Sequence, residues 1–216
     1  MLVMNQSSYT LSFDNTEIAF AYKSDKELRR AHFLFKCMGI GWLVNWGIRI
    51  TPWTIKAGLP VKSIIRKTIF SQFVGGETLQ ETAAVARKLG QYNVKVILDY
   101  GVEGGDNGEA GFDHACDEFI RVIEYAATQP NIPFMSVKVT GIARFGLLEK
   151  LDKSVDIHSG SLMKRYVKAL EELTEEEKIE WQNVSNRLHR ICQAAREKNV
   201  GVFIDAEETW IQDPVD

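Results

Sequence analysis

Val94-Lys95-Val96-Ile97-Leu98-Asp99 is where the chain changes period. Its β-branched residues and nearly unbroken apolar run read as a strand covered on both faces, the kind a parallel sheet contains. Two runs of the same kind follow. One is Phe134-Met135-Ser136-Val137-Lys138-Val139-Thr140, entered through Asn131-Ile132-Pro133; the other is Val200-Gly201-Val202-Phe203-Ile204-Asp205. Between the first two, Phe112, Cys116, Phe119, Ile120, Ile123 and Ala127 recur at helical spacing up to Gln129. Between the second and third lie a long polar insertion, 143–160, and helical stretches at 161–172 and 175–198. Thr174 and Glu177 open the last of these with the spacing of a capping box. Apolar strands joined by long helical crossovers predict an α/β fold, a parallel sheet with helices packed outside it.

Upstream of this, Lys23 to Ile69 is helical in pattern, with breaks expected at Thr51-Pro52 and at Gly58-Leu59-Pro60. Pro52 suits the first turn of a second helix. Thr78 and Glu81 repeat the capping-box spacing for a third, and Gly90 stands where a left-handed terminating residue is expected. Residues 1–22 are polar and read as an arm. The division that follows is 1–90, arm and helices, and 91–216, three strand–helix units, with 23–90 expected to join the latter in one folding unit.

Composition narrows the function classes. The chain has 216 residues, 45% hydrophobic, with five Trp and eleven Phe, enough for a real core. That excludes a disordered or low-complexity protein. Its 26 basic and 29 acidic residues leave a net charge of -3, which argues against a nucleic-acid partner held by phosphate neutralisation. Cys37, Cys116 and Cys192 are scattered, without zinc spacing, and fit a cytoplasmic or other reducing compartment. All three are expected to be small buried side chains. The N-terminus lacks the pattern of a signal peptide. Met38 to Ile48 is the most membrane-like stretch, too short to span a bilayer; a core helix is the preferred reading, a surface-lying one the other.

Parallel strands deliver function at their carboxyl ends. Gly101-Val102-Glu103-Gly104-Gly105-Asp106-Asn107-Gly108 is glycine-rich but lacks dinucleotide-fingerprint spacing and carries acids where a pyrophosphate would sit. The strand ends instead gather Asp99 through Glu103, Lys138 with Thr140, and Asp205 with Glu207 and Glu208. Lys138 points away from the face of Val137 and Val139. It is either a structural ion-pair partner of Asp205 or Glu103, or a functional cation. A Schiff-base lysine would need a depressed pKa, whereas acidic neighbours keep this one charged, which favours holding an anionic group. No metal site is expected: adjacent strand carboxylates diverge, and His32, His114, His158 and His189 fall in helices or loops. Residue chemistry alone stops at a charged cluster with no named reaction.

Four stretches carry a resemblance: Gln72-Phe73-Val74-Gly75-Gly76-Glu77, Leu98-Asp99-Tyr100-Gly101-Val102-Glu103-Gly104, Ser136-Val137-Lys138-Val139-Thr140-Gly141 and Phe203-Ile204-Asp205-Ala206-Glu207-Glu208-Thr209. In this order, and over about residues 23 to 216, the chain resembles the monofunctional proline dehydrogenases. The resemblance implies a variant (β/α)8 barrel, of which these would be the first three parallel strands, preceded by several helices and with a helical insertion before the third. It implies FAD at the strand ends, oxidation of L-proline to Δ1-pyrroline-5-carboxylate, and a quinone acceptor. Carried over, Lys138 resembles the lysine beside substrate and flavin, Asp205 the active-site aspartate, and Ala206 the residue whose backbone lies against the flavin. Glu103 resembles the glutamate that pairs with a substrate-binding arginine. The family's later strands have no counterpart here. The expectation is therefore an N-terminal portion, inactive alone, binding FAD weakly or not at all, self-associating through its open sheet and able to attach peripherally to membrane. Two alternatives stay open: a non-enzymatic partial-barrel interaction module, and a lyase using Lys138 as a Schiff base.

Overall fold

The computed structural model describes residues 13–101, 108–153 and 161–216. They fall into two compact units that meet in sequence at Asn93 and Val94.

The first unit is helical: α1 (Thr16–Ala19), α2 (Asp25–Met38), α3 (Gly41–Lys56), α4 (Val61–Ile65), a π-helical turn at Arg66–Phe70, α5 (Ser71–Phe73) and α6 (Leu79–Gly90). A full capping box starts α2: Glu27 N–H donates to Ser24 Oγ at 3.3 Å and Ser24 N–H to Glu27 Oε2 at 2.7 Å. The expected break at Thr51-Pro52 does not occur. Pro52 lies inside α3. Its ring leaves the Ile48 carbonyl without a helical partner, and Ile48 is exposed, so water can take that bond. The break at Gly58 is present, with a left-handed φ of 71°. At α6 only half of the expected box forms. Thr78 Oγ1 accepts from Glu81 N–H at 3.2 Å, but the Glu81 carboxylate turns to Glu77 N–H at 3.0 Å. Gly90 remains helical, and Asn93, at φ 58°, is the left-handed residue instead.

The second unit holds the sheet: β1 (Ile97–Asp99), α7 (Gly108–Ala126), β2 (Phe134–Val137), α8 (Phe145–Lys153), α9 (Leu162–Glu171), α10 (Glu175–Lys198), β3 (Gly201–Ile204) and α11 (Gln212–Val215). The three strands are parallel in the order β1-β2-β3. Register aligns Leu98 with Met135 and Val202, and Asp99 with Ser136 and Phe203.

One face of this sheet is covered by helix over most of its extent, with Ile204 at the end of β3 left exposed. Leu98, Met135 and Val137 are buried there, together with Phe112, Cys116, Phe119 and Ile123 of α7 and Ile191 of α10. The other face is open: Ile97, Phe134 and Phe203 are all exposed. Burial on both faces, the reading from the apolar runs, is therefore corrected. An apolar strand residue reports affinity for a core, not how many cores there are. The strands are also shorter than their apolar runs. Val139–Gly141 is a 3₁₀ turn, which leaves Lys138 as the first residue beyond β2.

The polar insertion contains a helix. Leu147 and Leu151 of α8 pack with Ala169 and Leu173, and Leu148 joins Val139, Val184 and Ile211. Arg187 of α10 is buried and clamps α7, donating to Glu109 Oε2 at 2.6 Å, Asp113 Oδ1 at 2.7 Å and the Ile142 carbonyl at 3.1 Å. Of the three cysteines only Cys116 is buried; Cys37 is half-buried and Cys192 exposed. Helical spacing places a thiol on a helix but says little about which face meets the core.

Candidate functional site

The carboxyl end of the open sheet face gathers one cation and three acids. Ser136 and Lys138 lie two apart in extended backbone, so both side chains emerge on the open face beside Asp99 and Asp205. Lys138 Nζ donates to Asp205 Oδ2 at 2.7 Å and stands 3.8 Å from Asp99 Oδ2. Ser136 Oγ lies between the same two carboxylates, 3.2 Å from Asp99 Oδ1 and 3.3 Å from Asp205 Oδ2. Asp205 N–H donates to the Val137 carbonyl at 3.0 Å, which holds its backbone against β2 just past β3. One turn away, Glu207 accepts from Thr140 Oγ1 at 2.5 Å and from Thr140 N–H at 3.3 Å. Strands, turn and acids are thus laced together at their ends.

The electrostatics follow from the geometry. The hydrogen bond to Asp205 raises the Lys138 pKa above its ordinary 10.5, partial burial opposes that rise, and the charges of Asp99, Asp205 and Glu207 add to it. The Lys138 side chain is 23% exposed and that of Asp205 29%, so a ligand can reach both. A permanently charged ammonium is the wrong starting point for imine formation, which needs the free amine. It is the right one for holding an anion.

Of the residues named from sequence, Lys138 and Asp205 meet directly. Ala206 follows Asp205 and is exposed. Glu103 lies outside the described residues, as do most of the glycine-rich loop and His158. Two residues of the network were not among the sequence candidates. The sequence marks Asp99 only as a strand end. Ser136 carried a signal that could have been used: a polar residue in an apolar strand, two positions before the lysine and therefore on its face. Among the described residues, no group of three or more His, Cys, Asp or Glu side chains is arranged to hold a metal ion.

Comparison with known proteins assigns this end of the sheet a lineage. The profile of the family described as Proline dehydrogenase matches residues 82–216. Over 232 residues the chain is 28% identical to Proline dehydrogenase 1, mitochondrial, of Dictyostelium discoideum, covering 96% of this chain and 40% of that protein. Over 133 residues it is 37% identical to Proline dehydrogenase 1, mitochondrial, of Caenorhabditis elegans, covering 60% and 22%. It is also 25% identical over 224 residues to the Hydroxyproline dehydrogenase of Homo sapiens, covering 93% and 48%. The chain spans less than half the length of each of these relatives.

Proposed function

The chain belongs to the proline dehydrogenase family, and we propose that the charged end of its sheet is part of a site that oxidises L-proline to Δ1-pyrroline-5-carboxylate. The observation that carries this reading is the short Lys138–Asp205 pair on an open, partly apolar sheet face. We take the three strands as the first part of a (β/α)8 barrel whose interior is that face.

The residues present fit a flavin. Phe134 and Phe203, with ring centroids 5.0 Å apart, offer an apolar surface, exposed Ala206 a free stretch of backbone, and Lys138 a cation. When bound, FAD supplies the hydride acceptor. The product fixes the balance of the step. A hydride leaves the ring carbon next to nitrogen on the side away from the carboxylate, a proton leaves the ring nitrogen, and a C=N bond forms between them. In this reading Lys138 binds an anionic group of the substrate or cofactor, the contribution expected of a preorganised charge. Asp205 orients the ammonium, with Ser136 and Asp99 as positioning residues behind it. Glu103 is proposed to pair with a substrate-binding arginine. The electrons pass to a quinone, with peripheral attachment to membrane, in a reducing compartment that suits the free thiols.

The test is Lys138→Met in a flavin-loaded protein containing this chain, assayed by proline-dependent reduction of a dye acceptor. Removing one partner of a desolvated charged pair costs a few kcal/mol, so kcat/KM should fall on the order of 10²-fold. Near-normal kcat/KM at equal flavin content would remove Lys138 from the site.

A further inference from the structure

We infer that α3 is a membrane-docking helix, lying in the headgroup region of a bilayer that carries anionic lipid. Trp42, Trp46 and Trp53 are 72%, 60% and 65% exposed, though tryptophan is a costly residue to leave in water. At about 100° per residue these three and Arg49, at spacings of four, three and four, share one narrow stripe of α3, with Lys56 beside it. The positions turned inward, Leu43, Ile50 and Thr54, lie on one flank of the helix, about 90° round from the stripe. Among the described residues, nothing covers the three indole rings of the stripe.

Charge names the occupant. From residue 28 to residue 76 the sequence holds eight Lys and Arg and no Asp or Glu, while the other 18 basic residues share the chain with all 29 acidic ones. An acidic protein thus carries one wholly basic, tryptophan-rich segment. Among the described residues Arg49 and Lys56 form no ion pair. Buried in a protein interface, Arg49 among tryptophans would lose its hydration without a counter-charge. A two-fold contact between copies through the stripe would press two basic surfaces together with no carboxylate on either stripe to offset them. At a headgroup layer both requirements are met together: indole rings prefer that depth, and guanidinium and ammonium pair with lipid phosphate. The helix, 16 residues or about 24 Å, is shorter than a hydrocarbon core, and no described helix is long and apolar enough to cross one. It would lie in the surface.

This inference gives a surface and a lipid chemistry to the peripheral attachment proposed above, and in that respect rests on it. Vesicle binding needs neither flavin nor proline, so its failure would leave the proposed oxidation standing. The experiment is flotation of the whole chain with vesicles of phosphatidylcholine alone and of equal parts phosphatidylcholine and phosphatidylglycerol. Binding should be at least roughly tenfold stronger to the anionic vesicles and should weaken as salt shortens the screening length. Trp42→Ser/Trp46→Ser/Trp53→Ser should abolish it, with an unchanged melting curve because these side chains are exposed. Arg49→Gln and Lys56→Gln should each cost about five-fold on anionic vesicles and nothing on neutral ones. Should the triple variant fail to fold, the two charge variants decide alone. Equal binding to both vesicle types, no binding to either, or no loss in the charge variants would overturn the inference. So would self-association in solution that the triple variant abolishes, since a second copy would then cover the stripe.

Discussion

Lys138 and Asp205 are 2.7 Å apart, close enough that neither can be changed without changing what the other does. Asp205→Ala should therefore lower kcat/KM about as much as Lys138→Met, and the double variant should lose far less than the product of the two losses. Multiplicative losses in flavin-loaded enzyme would mean that the two act independently. The direction of the lysine's pKa sets a second expectation. Its folded value lies above 10.5, so its contribution to stability is fully present below that pH and fades only as pH rises through the raised value. Between pH 7 and 9 neither stability nor kcat/KM should carry a Lys138 inflection, and borohydride with a carbonyl substrate should trap no adduct on it. A trapped adduct at Lys138 would revive the lyase reading.

At the scale of elements, close packing and buried charge set which changes are costly. A Cβ on Gly201 would lie 2.3 Å from the Phe134 ring across the β2–β3 pair. Gly201→Ala should destabilise by roughly 1–3 kcal/mol, the usual cost of overpacking, and adding Phe134→Ala should relieve the clash while losing ring burial. Thermal melts of the three variants check this by their non-additivity. Arg187 is 3% exposed while its partners Glu109 and Asp113 are 44% and 60% exposed. The cost of breaking this clamp is consequently lopsided. Arg187→Met empties the α7–α10 junction of its donor and should cost roughly 2–4 kcal/mol, whereas Asp113→Asn, left in water, should cost under about 1 kcal/mol. Equal losses in denaturant titrations would refute that asymmetry. Elements were also what the sequence revealed best. The α7 stripe and the Thr174 cap depend on local spacing, and local spacing survives in any fold. What it concealed were facts about surroundings: the open sheet face, the 3₁₀ turn after Val137 that leaves Lys138 at the strand's mouth, the helix α8 within a run that looked polar, and Pro52 accommodated inside α3. For the site, charge at strand ends was visible in the chain, but the Ser136 bridge was not, because a hydroxyl reveals its partners only once register is fixed.

For the whole molecule, the open sheet is the feature with physical consequences. Both outer strands, β1 and β3, have an unpaired edge within the described residues, and the exposed Ile97, Phe134 and Phe203 lie across their open face. Such edges and patches recruit partners. The 216-residue chain should be at least dimeric at micromolar concentration by light scattering, and Phe203→Lys should shift it toward monomer; a well-behaved monomer would count against this. It should also copurify with less than one FAD per chain, because the described residues offer a flavin one face and few polar contacts; one tightly held flavin per chain would sink that expectation. Strand order in this sheet has a further implication. Because β1, β2 and β3 stand side by side in the order in which they are synthesised, each strand as it leaves the ribosome finds its template already emerged. No strand must wait for a later one to be slotted between itself and its neighbour. The sheet can grow by accretion at one edge, its register copied forward from Leu98 to Met135 to Val202, so an error in an early strand would be inherited by every strand laid down after it.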